Sequence, residues 1–267
     1  MVAGKHSVLH LSTDGVFPLC REGAVASTGL ALSGTIQGEG LLAGVPSLFV
    51  RLAGCNLHCQ WAGATGRPIP CDTPYALMGP GEATGVEEVA CTIERHSGRI
   101  GHVVLTGGEP LLQAEPLAQL IARLHDSKTH YHVTVETNGT LYDPTVAQTV
   151  DLVSLSPKPF APLLGPHGGP AVQYARALQS WLDAKRGHSA GLQLKFVVGD
   201  PGNETSILDF LAELTGVDDH PIFVMPLGRT RAEVQASALI AVGMALRNNW
   251  RYSPRLQVDI WGARAGV

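Results

Sequence analysis

Short apolar runs and longer amphipathic segments alternate along most of the chain. The short runs are contiguous, as in buried strands, whereas apolar residues in the longer segments recur every three or four positions, as on one helix face. The predicted strands cover residues 30–36, 46–53, 102–106, 131–136, 151–155, 192–198, 222–225 and 255–261. The predicted helices cover residues 85–97, 113–126, 171–185, 204–215 and 231–247, with a short helix before residue 151.

This alternation predicts an α/β fold built from βα units around a parallel sheet. The chain has roughly six such units, fewer than the eight of a complete barrel. Polar clusters follow five of the strands: the cysteines after residue 53, Gly-Gly-Glu-Pro at 107–110, Glu-Thr-Asn at 136–138, Ser-Pro-Lys at 156–158, and the segment 226–230. In barrels and open α/β sheets, ligands bind at the edge formed by the carboxyl ends of the strands. We therefore expect the five clusters to meet in one site.

Three cysteines lie directly after the predicted strand at residues 46–53. Three residues separate Cys55 from Cys59, and eleven separate Cys59 from Cys71. Iron in an iron–sulfur cluster and zinc are the metals that such thiolates favour. A structural zinc site normally has four ligands, so zinc would need a further one, such as His58. Three cysteines on a [4Fe-4S] cluster would leave one iron open to an outside ligand.

Two segments depart from the βα pattern. We interpret residues 1–30 as a loosely structured N-terminal extension or an extra edge element, which leaves 31–267 as one domain. Residues 62–70 are rich in glycine and proline and lack helix or strand periodicity. We predict that they form a surface loop inserted between the second and third cysteines of the cluster. Such loops are tolerated because each doubling of loop length costs only about 0.6 kcal/mol of closure entropy.

Composition narrows the class of protein. The net charge of −4 gives no reason to expect binding to nucleic acid or to a membrane surface. The sequence contains no apolar stretch as long as a membrane helix. Five cysteines, an odd number of which three are clustered, argue against a disulfide framework and for a reducing compartment. We therefore expect a cytoplasmic protein.

The cysteine loop resembles that of the radical S-adenosylmethionine (SAM) enzymes, whose usual spacing is Cys-x3-Cys-x2-Cys, and the Gly-Gly-Glu-Pro turn is similar to their SAM-binding motif. A narrower resemblance is to the 7-carboxy-7-deazaguanine synthase family. It rests on residues 35–40, 49–57, 71–75, 105–110, 135–139, 156–158 and 255–262. The chain departs from that family in the insert, the N-terminal extension and Ala263. The resemblance implies a partial (β/α)6-type TIM barrel of the radical SAM class.

The resemblance also implies a reaction and its participants. The substrate would be 6-carboxy-5,6,7,8-tetrahydropterin, and the product 7-carboxy-7-deazaguanine, formed with loss of ammonia in deazapurine (queuosine-type) biosynthesis. The implied cofactors are a [4Fe-4S] cluster, SAM and Mg²⁺. The implied partners are an electron donor, such as flavodoxin or ferredoxin, and a second copy of the chain in a homodimer.

Site residues follow by matching this chain to the family's motifs. The resemblance assigns the cluster to Cys55, Cys59 and Cys71, and Mg²⁺ to Thr73. It assigns SAM to Asp72, Gly108, Glu109, Ser156, Pro157 and Lys158. It assigns the substrate to Ile36, Gln37, Gly38, Glu39, Arg51 and Thr106, with the terminal carboxylate of Val267 also expected nearby.

The chemistry of these residue types agrees with the assigned roles. A lysine ammonium and a serine hydroxyl can hold the methionine carboxylate, while Glu109 can accept a bond from the methionine ammonium. The fork of donors on Arg51 suits a carboxylate or carbonyl group of the pterin. A threonine hydroxyl is a reasonable ligand for a hard cation.

Two other functions compete with this interpretation. A radical SAM enzyme of different outcome, such as a glycyl-radical activase, would share the cysteines and the Gly-Gly-Glu motif but would not explain Gln-Gly-Glu-Gly at 37–40. A non-catalytic zinc-binding protein would explain the cysteines but not five polar clusters at one sheet edge. Analysis of the reaction product would distinguish the first alternative from the favoured function. Measurement of the metal content would distinguish the second.

Overall fold

The computed structural model describes residues 7–62, 68–77, 79–159, 171–188 and 191–267. Its strands are β1 (Val8–Phe17), β2 (Thr35–Ile36), β3 (Pro46–Leu52), β4 (Gln60–Ala62), β5 (Pro68–Pro70), β6 (Glu82–Gly85), β7 (His102–Gly107), β8 (His132–Thr137), β9 (Leu152–Leu155), β10 (Leu192–Val198), β11 (Ile222–Pro226) and β12 (Arg251–Tyr252). Its helices are α1 (Val86–Ser97), α2 (Ala114–His125), α3 (Pro144–Thr149), α4 (Ala171–Ala184), α5 (Asn203–Ala212), α6 (Arg231–Asn248) and α7 (Leu256–Trp261).

Parallel strands form the centre of the main sheet, in the order β3, β7, β8, β9, β10 and β11. The parallel strands β7 to β11 are each preceded by one of the helices α1 to α5, and α6 follows β11. Beyond β11 the sheet continues with the parallel strand β12, and beyond β3 with the antiparallel strands β1 and β6. The predicted α/β architecture, a partial (β/α)6-type barrel, is confirmed.

The burial pattern explains why these segments form these elements. All seven residues of β10 are buried, as expected for a parallel strand with both faces covered. Helix α2 instead buries a single stripe, made by Leu117, Ala118, Leu120, Ile121 and Leu124. This stripe packs in the same apolar core as the strand residues. The contrast between continuous and periodic burial is the one that the sequence pattern predicts.

The predicted strand at residues 255–261 is wrong, because most of this segment forms helix α7. Apolar Leu256, Val258 and Ile260 alternate with other residues in the sequence, as in a strand. In the structure Val258 is buried, whereas Ile260 is 50% exposed, so the segment does not bury one face of an extended chain. Gly262, with a φ of 69°, ends the helix in the left-handed region that favours glycine.

The predicted strand at 30–36 is also shorter than expected. Only β2 is extended and paired, and it runs antiparallel to β3. Gly34, at a φ of 92°, interrupts the extended backbone just before it. The Cβ of an alanine at this position would lie 2.2 Å from a side-chain atom of Ile100, so glycine also permits close packing.

The insert and the N-terminal extension are more regular than predicted. The ends of the 62–70 segment are not plain loop, because β4 and β5 pair antiparallel, with Trp61 opposite Ile69. Residues 63–67 lie outside the described residues. Within the predicted extension, β1 lies between β3 and β6, an inner position where we expected a loose segment or an edge. No helix among the described residues is long and apolar enough to cross a membrane.

Candidate active site

A cavity of about 500 Å³ lies at the carboxyl ends of the parallel strands. Each of the five predicted polar clusters contributes at least one residue to its wall. Within the described part of the chain, all but two of the predicted site residues also line it, the exceptions being Glu109 and Pro157. The expected convergence on one edge is therefore present in the structure, although residues distant in sequence complete the wall.

The three cysteine thiols line this cavity together. Cys59 and Cys71 pack against a small apolar group made by Trp61, Val197, Met225 and Leu227. Burial raises the pKa of Cys55 to about 12, and the nearby Glu109 and other two cysteines act in the same direction. Burial also raises the pKa of Cys59, against the opposing effect of the Lys158 charge. Metal binding would therefore have to displace protons from partly buried thiols.

The donors fit an iron–sulfur cluster and a polar cofactor beside it. Three soft sulfur ligands face one cavity, which is the donor set that a three-cysteine cluster requires. Trp61 Nε1 and Gln257 Oε1 are buried atoms of the cavity wall without a hydrogen-bond partner among the described residues. Such atoms are normally satisfied, so they are candidates for hydrogen bonds to polar groups of a bound molecule.

The glycine turn after β7 packs directly on the cysteine loop. Gly107 has a φ of 141°, and a Cβ on it would lie 2.1 Å from the Leu52 carbonyl oxygen. A Cβ on Gly108 would lie 2.0 Å from the Gly54 carbonyl oxygen. Gly108 N–H donates to Leu52 O at 3.1 Å, and Glu109 N–H donates to Gly54 O at 2.8 Å. The glycines thus allow a close approach between two backbones, besides any approach to a ligand.

Glu109 does not line the cavity and is completely buried. Its carboxylate accepts bonds from Leu111 N–H at 2.9 Å, Thr137 Oγ1 at 2.7 Å and Asn138 N–H at 2.8 Å. Burial raises its pKa, although these hydrogen bonds act in the opposite direction. The side chain therefore joins the glycine turn to the end of β8, and the expected contact with an ammonium group stays a prediction.

Lys158 follows β9 and also lines the cavity. Its Nζ donates to the carbonyl oxygen of Ser156 at 2.6 Å and to the Ser156 hydroxyl at 2.5 Å. Tyr174 from α4 fixes the backbone, since its hydroxyl accepts from Lys158 N–H at 2.8 Å and donates to Asn138 O at 3.0 Å. Burial lowers the pKa of Lys158. The ammonium and hydroxyl are thus held close together at the cavity wall.

A buried ion network forms another part of the cavity wall. Glu39 accepts from Lys195 at 2.5 Å, from Arg255 at 3.2 Å and from Gln257 at 2.6 Å. Burial alone would raise the pKa of Glu39, but the charges of Lys195 and Arg255 outweigh it and lower the pKa to about 2. Lys195 also lies 3.8 Å from Glu136. Glu39 is therefore an ionised carboxylate held by two cations, which is a more specific role than the sequence predicted.

Glu136 connects this network to two predicted substrate residues. Its carboxylate accepts from Gln37 Nε2 at 3.2 Å and from Thr106 Oγ1 at 3.0 Å. The sequence patterns assign no individual role to Glu136, Lys195, Arg255 or Gln257. A signal existed for Lys195, because a charged residue in the middle of the apolar run 192–198 is rarely buried without a partner.

Arg51 is positioned by the N-terminal strand. Its Nε donates to Asp14 on β1 at 3.0 Å, and its guanidinium lies 4.7 Å from the centre of the Phe17 ring. The Arg51 side chain is 11% exposed and lines the cavity. The segment that we predicted to be an extension therefore supplies two contacts to a predicted substrate residue.

The last residues of the chain also form part of the wall. The segment 262–267 lines the cavity, so the predicted position of Val267 near the site agrees with the structure. Trp261 Nε1 donates to Thr28 O at 3.0 Å, and Arg264 donates to Ser27 O at 3.1 Å. The N-terminal segment and the C-terminal tail are thus tied together beside the cavity.

Comparison with known proteins agrees with this site. A family model described as a 4Fe-4S single cluster domain matches residues 36–156. The chain is 36% identical over 245 residues to a 7-carboxy-7-deazaguanine synthase of Halobacterium salinarum, covering 85% of this chain and 87% of the relative. It is 34% identical over 236 residues to that of Rhodopirellula baltica, covering 86% and 85%. It is 31% identical over 249 residues to that of Pyrobaculum aerophilum, covering 89% and 96%.

A solved structure extends the comparison to the fold. The crystal structure of QueE from Escherichia coli superposes with a TM-score of 0.57 at 24% sequence identity. The match covers 93% of this chain and 94% of that chain. The two proteins therefore share their fold over nearly their whole length.

Proposed function

The chain belongs to the 7-carboxy-7-deazaguanine synthase family of radical SAM enzymes, and we propose that the cavity at the carboxyl ends of its strands is where it carries out the family's reaction. It is a lyase that contracts a pterin ring in deazapurine biosynthesis. The substrate we assign to it is 6-carboxy-5,6,7,8-tetrahydropterin, and the product is 7-carboxy-7-deazaguanine, with loss of ammonia. The observation that carries the proposal is the meeting of three thiols and a buried ion network in one cavity.

Cys55, Cys59 and Cys71 would hold the [4Fe-4S] cluster. When bound, the cluster supplies the electron that cleaves SAM, and SAM supplies the radical that begins the ring contraction. The protein's own contribution to this centre is the set of thiols and the apolar group around Trp61 that packs on Cys59 and Cys71. Excluding water from the centre strengthens the interactions between charges inside it.

The SAM side of the cavity would be formed by the cysteine loop, the glycine turn and the segment after β9. Lys158 Nζ and Ser156 Oγ, held 2.5 Å apart, are suited to a carboxylate. The backbone of Gly108 and the carboxylate of Asp72 border the same space, and Pro157 restricts the backbone between Ser156 and Lys158. Glu109 would accept a bond from the methionine ammonium, and it also holds the turn against Thr137 and Asn138.

The substrate side would be formed by β2, β3, β7 and β8. Arg51, held by Asp14, is suited to the pterin carboxylate. Gln37 and Thr106, both bonded to Glu136, together with the backbone of Ile36 and Gly38, offer donors and acceptors to the ring. The charges of Glu39 and Glu136 raise the pKa of Lys195, although burial lowers it, so this side chain stays protonated. Glu39 is thereby kept as a fixed anion facing the substrate.

We also propose Mg²⁺ as a cofactor, with Thr73 as its protein ligand. The Thr73 hydroxyl borders the cavity and lies 3.5 Å from Cys71 Sγ. Hard cations prefer oxygen ligands, and the substrate would supply the others. A homodimer, a flavodoxin or ferredoxin as electron donor, and a cytoplasmic location complete the proposal.

The test is an anaerobic assay of the full chain after cluster reconstitution. The protein would be incubated with SAM, dithionite, Mg²⁺ and 6-carboxytetrahydropterin, and the products identified by mass spectrometry. We expect 7-carboxy-7-deazaguanine from the wild type and none from Cys71→Ala. An iron-containing protein that cleaves SAM and leaves the pterin unchanged would contradict the proposed substrate, and a zinc protein without iron would contradict the whole proposal.

A further inference from the structure

Arg255 joins three segments that are far apart in the sequence. Its Nη2 donates to Asp72 Oδ2 at 2.6 Å, and its Nε donates to Glu39 at 3.2 Å. Its Nη1 donates to the carbonyl oxygen of Gly228, after β11. The Arg255 side chain is 7% exposed. Because guanidinium donors lie in one rigid plane, contacts on several sides fix the relative positions of their acceptors.

The third cysteine lies between two restraints. Eleven residues separate Cys59 from Cys71, so a short covalent connection does not determine where Cys71 lies. On one side, Pro70 pairs with Gln60 at the end of the β4–β5 hairpin. On the other side, Asp72 is held by Arg255. The ion pair therefore acts on the residue directly bonded to Cys71.

We propose that Arg255 is a positioning residue for the third cluster ligand. By holding Asp72 it keeps the Cys71 thiol at the cavity despite the long spacing between the cysteines. The inference rests on the proposed role of Cys71 in binding the cluster. It adds that the C-terminal segment at 253–257 is part of the structure that supports the cluster, and that the same guanidinium connects this support to Glu39 on the substrate side.

The first test compares how fast a chelator removes iron from the reconstituted full-length protein. We expect about tenfold faster loss in Arg255→Met and in Asp72→Asn, because either change removes an ion pair that is buried on the Arg255 side, although the Asp72 side chain is 48% exposed. Asp72→Glu, which keeps the charge, should stay within about threefold of the wild type. Arg247→Met is the matched control, because Arg247 is 59% exposed and pairs with Glu204 away from the cavity.

The second test separates positioning from a change of charge near the thiols. Arg255→Met removes a positive charge and Asp72→Asn removes a negative one, so a purely electrostatic effect on iron loss would have opposite signs in the two variants. A positioning effect has the same sign in both. Amide hydrogen exchange of the peptide that contains residues 68–77, measured before reconstitution, should also rise about fivefold in both, with β7 and β8 unchanged.

The outcomes distinguish this inference from the proposed function. A wild-type protein that binds no iron would overturn both. Wild-type iron binding with unchanged iron loss and exchange in Asp72→Asn would overturn the positioning role alone. Asp72→Asn tests the ion pair even if Arg255→Met fails to fold, because it leaves the contact between Arg255 and Glu39 in place.

Discussion

Two groups of ion pairs with similar distances occupy opposite surroundings. At the cavity, Lys195 and Glu39 are 2.5 Å apart, and their side chains are 5% and 13% exposed. On the outer helices, Arg247 and Glu204 are also 2.5 Å apart, but the arginine is 59% exposed. Removing charges from water costs free energy that a buried ion pair only partly recovers. An exposed ion pair loses little solvation and adds little to stability. The cavity network is therefore better explained by the site that it forms than by stability.

Breaking the buried network should have the largest effect on folding. Lys195→Met keeps the length of the side chain but leaves Glu39 and Glu136 without their shared cation. We expect the free energy of unfolding to fall by about 3–5 kcal/mol, as for other buried pairs that lose one partner. Urea denaturation measures this change. Lys128→Met, the same substitution at an exposed position, is the control. Equal free energies of unfolding for Lys195→Met and Lys128→Met would contradict the larger effect expected for the buried network.

The pH dependence of stability tests whether Glu39 is a buried anion in the folded protein. The pKa of Glu39 is about 2 in the folded protein and 4.5 ordinarily, so stability is fully present above about pH 4.5 and is lost as the pH falls towards 2. Between pH 5 and pH 3 the loss due to Glu39 should be about 2 kcal/mol. Urea denaturation at the two pH values should therefore give a smaller loss for Glu39→Gln than for the wild type. An identical loss would mean that Glu39 is not held as a buried anion.

The pair between Arg51 and Asp14 should affect binding more than stability. Asp14→Asn removes the charge that holds Arg51 and should raise the KM for the pterin about tenfold, with kcat little changed. Asp14→Glu should restore KM to within about threefold. Steady-state kinetics of product formation measure both constants. A fall in kcat at constant KM would contradict a role in substrate binding.

The surface pair should have the smallest effect. Arg247→Met removes the contacts with Glu204, but the arginine is mostly solvated in the folded protein. We expect the melting temperature to change by less than about 2 °C. Differential scanning calorimetry measures the change. A change in melting temperature as large as that caused by Lys195→Met would contradict the expected difference between buried and exposed ion pairs.

Local patterns in the sequence were sufficient to predict most of the fold. The strand predicted at 192–198 coincides with β10, because an apolar run of that length is fully buried in a parallel sheet. The helix predicted at 231–247 differs from α6 by one residue. The failure at 255–261 has a physical cause, since the alternation of apolar residues did not correspond to burial of alternate side chains.

The ion network could not be predicted in the same way. Glu39 and Lys195 are 156 residues apart, and Glu39 and Arg255 are 216 residues apart, so only the closed fold brings them together. The packing of Gly108 and Glu109 within the protein could not be predicted for the same reason. Their closest neighbours are the cysteine loop and the end of β8, which no local motif specifies.

We propose that Cys71 completes a three-cysteine cluster site despite its long separation from Cys59. The most direct measurement is the electron paramagnetic resonance spectrum of the reduced, reconstituted protein with and without SAM. We expect a [4Fe-4S] signal in the wild type that changes when SAM is added, and the loss of this signal in Cys71→Ala. A Cys71→Ala protein with the wild-type signal and the same response to SAM would contradict it.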